Sequence, residues 1–135
     1  MTDAVPAPLA LLDLDHLQAM TGGDQALAIE VLDIFKHQAE IWSRLLDPRA
    51  DASQWADAAH TLKGASLGIG AIRLAAICGR AEGLGRADTA PSVTAAAVML
   101  GDVKDALGDT LEAVGKLAYD ASVDQGAPDR LGDGR

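Results

Sequence analysis

Hydrophobic residues recur every three or four positions along most of this chain, which is the spacing of one face of an α-helix. No stretch shows the strict alternation of a half-buried β-strand. The pattern predicts helices over about 13–20, 24–46, 51–70, 71–86 and 91–119. Glycines and prolines interrupt it too often for a long coiled coil, and short connections favour antiparallel neighbours. We therefore expect an all-α fold, an up-down antiparallel four-helix bundle with a short additional N-terminal helix.

The apolar stripe of each predicted helix indicates the face that it buries. For the second helix the stripe, with Phe35 and Trp42 at its flanks, consists of Leu27, Val31, Ile34, Ile41 and Leu45. For the third helix it consists of Trp55, Ala59, Leu62, Ser66 and Ile69. At the ends of the chain the pattern fades. We expect a flexible arm over 1–10, the bundle over 11–119 and a disordered, Gly/Asp-rich tail over 120–135.

Composition and charge narrow the functional class. Hydrophobic residues make up 49% of the 135 residues but aromatic residues only 3%, so the core must be aliphatic and rich in alanine. The net charge of −9 argues against partners that present a phosphate backbone or an anionic membrane surface. Cys78 is the only cysteine, which excludes an internal disulfide and a cysteine metal cluster. With no signal-peptide pattern and no apolar run of about 20 residues, we expect a cytoplasmic protein. We also expect it to be a monomer.

One segment of the third helix combines a nucleophile, a positive charge and a position without a side chain. His60, Lys63 and Gly64 are three and four residues apart, so they share one patch of the helix surface. The stripe of this helix places His60 roughly 140° from the buried centre, on the solvent side. Ala56 and Leu67 are expected on the same exposed side. An ordinary surface histidine is the alternative, but a mid-helix glycine, which costs roughly 0.5–1 kcal/mol relative to alanine, favours a functional patch.

The sequence gives less support to two other functions, a hydrolase active site in this segment and a metal site formed by the histidines. Residues 64–68 match the G-x-S-x-G pattern of a hydrolase nucleophile, yet they lie in a helix instead of following a strand. No histidine follows Ser66, and Ser66 belongs to the buried stripe. The three histidines lie on different predicted helices with no paired spacing, so no metal site is predicted.

The segment from Ala59 to Ala71 resembles the signature of histidine-containing phosphotransfer (HPt) domains. That signature is a histidine, two residues, a Lys-Gly pair, small residues and then a Gly-small pair. Weaker matches lie around Gly22-Gly23-Asp24, Ile34-Phe35 and residues 74–78. The resemblance therefore covers about residues 12–118.

The resemblance implies a role for each matching residue. His60 would be the phosphorylated residue, Lys63 would stabilise the phosphoryl charge, and Gly64 would leave room for the partner. Glu82 aligns with a position where several members carry a glutamine that orients the histidine. A carboxylate there could hold the proton of Nδ1 and leave Nε2 free.

As a whole, the resemblance implies a phosphocarrier of a two-component phosphorelay. Such a carrier needs no cofactor and has no autokinase activity, because the response-regulator receiver domain supplies Mg²⁺ and the catalytic groups. Receiver domains are the expected partners, with Ala56, Gly64 and Leu67 in the docking surface, and a hybrid histidine kinase is a further candidate.

Two alternatives remain open at this point. The first is a helical adaptor of the same fold that binds a signalling partner without being phosphorylated. The second is a direct substrate of a kinase ATP-binding domain acting in trans. The complete set of His60, Lys63 and Gly64 favours the carrier, because an adaptor has no need of the histidine.

Overall fold

The computed structural model describes the backbone of residues 11–133 and the side chains of residues 11–123. This part of the chain is helical and contains no strand. Its elements are α1 (Leu14–Thr21), α2 (Gln25–Ser43), α3 (Ala52–Ile69), α4 (Ile72–Gly85) and α5 (Val93–Asp133). None of the described helices has the length and apolar composition needed to cross a membrane.

Four of the helices form a ring around one core. Helix α3 packs between α2 and α4, and α5 closes the ring by packing against the same two helices. Only residues 70–71 separate α3 from α4, so these two packed helices must run antiparallel. The fully buried side chains are mainly aliphatic, with two aromatic rings among the largest: Trp55, Phe35, Leu32, Leu46, Leu62, Leu74, Leu100 and Val103. The prediction of an all-α four-helix bundle with a short N-terminal helix is confirmed.

The short helix α1 is fixed to the end of the bundle through a glycine. Gly70 ends α3 with φ +79°, in the left-handed region that glycine adopts without strain. The backbone N–H of Asp13 donates a hydrogen bond of 2.7 Å to the Gly70 carbonyl oxygen. A Cβ at Gly70 would lie only 2.9 Å from the Asp13 carbonyl oxygen, so no other residue fits without displacing α1. At its other face α1 buries Leu17 in the core.

Side-chain caps set the starts of three helices. Asp13, Asp24 and Ser92 each accept a hydrogen bond from the backbone N–H three residues later, at the starts of α1, α2 and α5. Asp51 precedes α3, but its side chain makes no capping hydrogen bond. The spacing of Asp51 and Gln54 in the sequence resembles a capping box, but the structure does not form it.

The predicted buried face of α2 is wrong. The residues that this helix buries are Leu32, Phe35 and Ala39, whereas Leu27, Ile34 and Ile41 are 40%, 52% and 56% exposed. This helix carries two apolar faces, and periodicity within the helix does not rank them. Packing between α3 and α5 selects the face with the aromatic ring, since Phe35 removes more apolar area from water than a branched aliphatic residue does.

The end of α5 also differs from the expectation. Its backbone continues as helix to Asp133, past the start of the tail that was predicted to be disordered from residue 120. Half-buried Leu117 and Ala118 pack against the core, and Lys116 pairs with Asp120 at 3.2 Å. Extending an existing helix costs far less than starting one, so the helix continues through the polar segment. The predicted arm over 1–10 lies outside the described residues, and the domain boundaries stay a prediction.

Helices α3 and α4 approach closely at Gly85. A Cβ on Gly85 would lie 2.8 Å from both the Ala56 Cβ and the Trp55 ring. Because both neighbours are fully buried, we expect Gly85→Ala to lower the free energy of unfolding by about 1–3 kcal/mol through overpacking. Urea denaturation followed by circular dichroism measures this.

Gly83 provides the matched control for Gly85. It lies in the same helix with nothing within 4 Å of an added Cβ. Gly83→Ala should therefore raise stability by about 0.5–1 kcal/mol, because it only removes backbone freedom from the unfolded chain. Equal effects of the two substitutions would contradict the close approach at Gly85.

Candidate functional site

Helix α3 presents His60 to solvent from the middle of the helix. The stripe residues Trp55, Ala59, Leu62 and Ser66 are all buried, which confirms the predicted phase of α3. The His60 side chain lies on the outer face and is 61% exposed. The imidazole is therefore accessible to another protein.

A carboxylate on the neighbouring helix fixes the orientation of the imidazole. His60 Nδ1 lies 2.9 Å from Glu82 Oε2. A carboxylate only accepts hydrogen bonds, so Nδ1 carries the proton and donates it to Glu82. In the neutral ring the lone pair is then on Nε2, the nitrogen that makes no bond to Glu82. The site thus presents a nucleophilic nitrogen of defined tautomer.

Two cations hold Glu82 in place. Lys63 Nζ contacts Glu82 Oε1 at 3.0 Å, and Arg86 Nε contacts Glu82 Oε2 at 3.2 Å. Arg86 also donates from Nη2 to Asp57 Oδ1 at 2.9 Å, which connects α4 back to α3. The side chain of Glu82 is only 16% exposed, in contrast to the histidine that it orients.

The stem of Lys63 packs over the neighbouring helix. A Cβ on Gly79 of α4 would lie 3.6 Å from Lys63 Cδ, an ordinary van der Waals distance, so the stem of Lys63 runs over this position. Lys63 keeps partial access to solvent, with 35% of its side chain exposed.

These contacts shift the ionisation of the site. The pKa of Glu82 falls from 4.5 to about 2, mainly because Lys63 donates a hydrogen bond to the carboxylate. Partial burial opposes this shift, and the hydrogen bond from Arg86 and the charge of His60 add to it. The pKa of Arg86 is raised above its ordinary value by its hydrogen bonds to Asp57 and Glu82. Glu82 is therefore a fixed negative charge at neutral pH.

The lowered pKa of Glu82 predicts a specific acid dependence of stability. A folded-state pKa below the unfolded value stabilises the fold above about pH 4.5, and this contribution is lost as the pH falls toward 2. We expect the urea midpoint of the wild type to exceed that of Glu82→Gln by a constant amount near neutral pH. The difference should shrink below about pH 4.5, and a difference that grew in acid would contradict the assigned network.

The remaining predicted site residues divide into two groups. An added Cβ on Gly64 meets nothing within 4 Å, and Leu67 is 53% exposed, so both lie open on the outer face of α3. The prediction of Ala56 as a docking residue is wrong, because Ala56 is 0% exposed and packs beneath Gly85 of α4. A helix held between two neighbours buries a wider arc than a single stripe indicates, and Ala56 falls within that arc.

Comparison with known proteins agrees with this geometry. Residues 15–116 match the family model of the Hpt domain. The chain belongs to the Hpt domain family. Among solved structures it is similar to the crystal structure of histidine phosphotransferase ShpA from Caulobacter crescentus, with 32% sequence identity and a TM-score of 0.69. The match covers 86% of this chain and 98% of that one, whereas no curated protein sequence matches.

As an Hpt domain, the chain is a phosphocarrier of two-component phosphorelays. Its site includes two residues that the sequence reading missed, Asp57 and Arg86. Asp57 lies three residues before His60 and Arg86 four residues after Glu82, so each could have been placed on the face of the site. Their contact with each other depends on how α3 meets α4, which spacing within one helix does not give.

Other nucleophiles and ligand groups in the described part of this Hpt domain lie outside the chemistry. Cys78 is fully buried, and burial raises the pKa of its thiol to about 12 although Lys63 acts in the opposite direction. It is therefore a core residue that stays protonated. Among the described residues, no group of three or more His, Cys, Asp or Glu could hold a metal ion.

Proposed function

We propose that this Hpt domain accepts a phosphoryl group on Nε2 of His60 from the phospho-aspartate of one receiver domain and delivers it to another. The observation that carries the proposal is the orientation of His60, with Nδ1 bonded to Glu82 and the ring 61% exposed. Membership of the Hpt family and the similarity to a histidine phosphotransferase support it.

The proposed transfer balances without a proton leaving the site. The Nε2 lone pair forms the N–P bond while the P–O bond to the aspartyl carbonyl group breaks, and the aspartate carboxylate leaves with the electron pair. Nδ1 keeps its proton, so the phosphorylated ring carries a positive charge, which Glu82 faces at hydrogen-bond distance. A carboxylate at this position therefore stabilises the developing imidazolium.

Lys63 and the partner would supply the remaining charge stabilisation. Phosphoryl transfer passes through a metaphosphate-like transition state that depends on positioning and on neutralising charge. Lys63 lies about one helical turn from His60 and contacts Glu82, which orients the histidine. In the proposal, Mg²⁺ is bound by the receiver, and the carrier has no cofactor and no autokinase activity of its own.

The proposed docking surface lies on the outer face of the bundle beside His60. Gly64 and Leu67 extend it along α3, and the apolar side chain of Leu67 is 53% exposed. An exposed apolar residue two turns from a reactive side chain is typical of a protein interface. We propose a receiver domain as the occupant, with a hybrid histidine kinase as a source of such a domain, and a monomeric carrier in the cytoplasm.

The test is transfer of radiolabelled phosphoryl groups from a set of phosphorylated receiver domains. We expect label on this protein that is lost in acid and retained in base, as a phosphohistidine requires. Binding of receivers without any transfer of label would instead assign the protein to the adaptors of the same fold.

Gly64 gives a prediction about docking that is separate from the chemistry. Gly64→Gln adds a side chain at an open position one turn from His60, so it should slow transfer from a receiver by about tenfold or more through misplacement of the reacting atoms. Single-turnover kinetics with a labelled receiver measure the change.

Gly108→Gln is the control for the effect of a new glutamine. Gly108 is also exposed with open space around it, but it lies on α5, which does not pack against α3. Its substitution should leave transfer unchanged. If Gly64→Gln transferred as fast as Gly108→Gln, the placement of the receiver over Gly64 would be wrong.

A further inference from the structure

Glu82 has more partners than the orientation of one histidine requires. Its Oε1 contacts Lys63 at 3.0 Å, while Oε2 receives both His60 Nδ1 at 2.9 Å and Arg86 Nε at 3.2 Å. Because two cations contact the carboxylate, Glu82 keeps one cationic partner if the other moves away.

Lys63 is the cation that can leave. It carries a point charge on a flexible stem, it makes one ion pair among the described residues, and it lies on the same helix face as His60. A phosphoryl group on Nε2 brings about two negative charges next to this ammonium, more than the single charge of Glu82. Movement of Lys63 to the phosphoryl group would leave Oε1 without its partner.

Arg86 is held in a way that Lys63 is not. Its backbone N–H donates to the Glu82 carbonyl oxygen at 3.0 Å, which fixes it at the end of α4. Its guanidinium uses Nε for Glu82 and Nη2 for Asp57 at 2.9 Å, so one planar group joins two helices. A guanidinium that makes two directed contacts is less free to move than an ammonium group.

Asp57 has a second effect in this arrangement. It lies three residues before His60, so it would place a negative charge on the same helix face as the phosphorylated ring. The contact with Arg86 neutralises that charge and keeps the guanidinium directed at Glu82. The four charged groups, Asp57, Lys63, Glu82 and Arg86, sum to zero before phosphorylation.

We propose that Arg86, anchored by Asp57, is a positioning residue that keeps Glu82 bonded to His60 Nδ1 while Lys63 moves to the phosphoryl group. This inference rests on the proposed function, because the exchange of partners occurs only if His60 is phosphorylated. A purely structural clip between α3 and α4 is the competing explanation of the same contacts.

The experiment uses phosphoramidate as the donor, so that it does not depend on any receiver. The Nε2 lone pair displaces ammonia from phosphorus, which forms the same N–P bond. ¹⁵N NMR of His60 then reports which ring nitrogen carries the proton, before and after the reaction. The variants are Lys63→Met, Arg86→Met, the double variant and Asp57→Asn, with Arg80→Met as an exposed control on the same helix.

Before phosphorylation, each single variant should keep the Nδ1–H signal, because one cation still holds Glu82. The double variant should lose it. After phosphorylation, the wild type, Arg80→Met and Lys63→Met should retain the hydrogen-bonded Nδ1 proton, whereas Arg86→Met should lose it. Phosphorylation of Arg86→Met should slow by about fivefold or more because the ring loses its fixed orientation once Lys63 moves to the incoming phosphoryl group, with a smaller loss in Asp57→Asn.

A structural clip gives a different result. It would lower the melting temperature of Arg86→Met but leave the Nδ1 proton of the phosphorylated form unchanged, and that outcome would overturn the inference. The double variant also tests the inference without phosphorylation. If its Nδ1–H signal were the same as that of the wild type, the two cations would not be needed to hold Glu82 on His60, and the inference would be wrong. Failure of every receiver to transfer label, with the NMR results as expected, would count against the proposed function alone.

Discussion

His60→Gln should abolish acid-labile phosphorylation of this protein by any receiver domain while leaving the bundle folded. Glutamine has no nitrogen with an available lone pair in the place of Nε2, so no N–P bond can form. The side chain is 61% exposed, and Glu82 keeps its contacts with Lys63 and Arg86 when the imidazole is absent. A surface substitution of this kind changes stability by about 0.5 kcal/mol or less. Measuring the incorporated label tests the loss of phosphorylation, and measuring thermal unfolding of the same variant tests whether the bundle stays folded.

His37→Gln is the matched control for this substitution. His37 is an exposed histidine of α2 whose Nδ1 contacts the carbonyl oxygen and the carboxylate of Asp33 in its own helix. Its variant should be labelled as fast as the wild type. Acid-labile label that persisted in His60→Gln but disappeared in His37→Gln would show that His37, and not His60, is the phosphorylated residue.

Glu82→Ala should slow phosphoryl transfer by about 10- to 100-fold, because the imidazole loses both its fixed orientation and its fixed tautomer. The variant also removes the negative charge that faces the imidazolium in the phosphorylated state. Lys63 and Arg86 would be left without their shared partner, and Lys63 would then be drawn to the phosphoryl group more readily. This gain is smaller than the loss, since charge pairs with partly exposed groups contribute about 0–1 kcal/mol.

Glu82→Gln separates orientation from charge. The amide oxygen can still accept a hydrogen bond from Nδ1, so orientation is kept while the charge is lost. We expect a loss of about tenfold or less in single-turnover transfer, between the wild type and Glu82→Ala. Equal rates for Gln and Ala would mean that only the charge matters. If neither substitution changed the transfer rate, Glu82 would have no role in the reaction.

The contrast between α3 and α2 shows what a periodic pattern can predict. In α3 the large apolar residues other than Leu67 lie on one face, so the pattern defined the buried side and placed His60 correctly in solvent. In α2 apolar residues occupy two faces, and the pattern selected Leu27, Ile34 and Ile41 instead of the face with Leu32 and Phe35. A periodic pattern shows that a helix is amphipathic, but it does not choose between two apolar faces.

The sequence by itself determined the helices, the exposure of His60 and the family signature around it. These properties depend on hydrogen bonds and side-chain spacing within one helix, and both are local in the chain. Only the tertiary structure decided which face of α2 is buried, that Ala56 is covered by α4, and that Arg86 links Asp57 to Glu82. Each of these depends on the distance and rotation between two helices, which are set by how side chains of both interlock. Spacing along one helix contains no information about that fit.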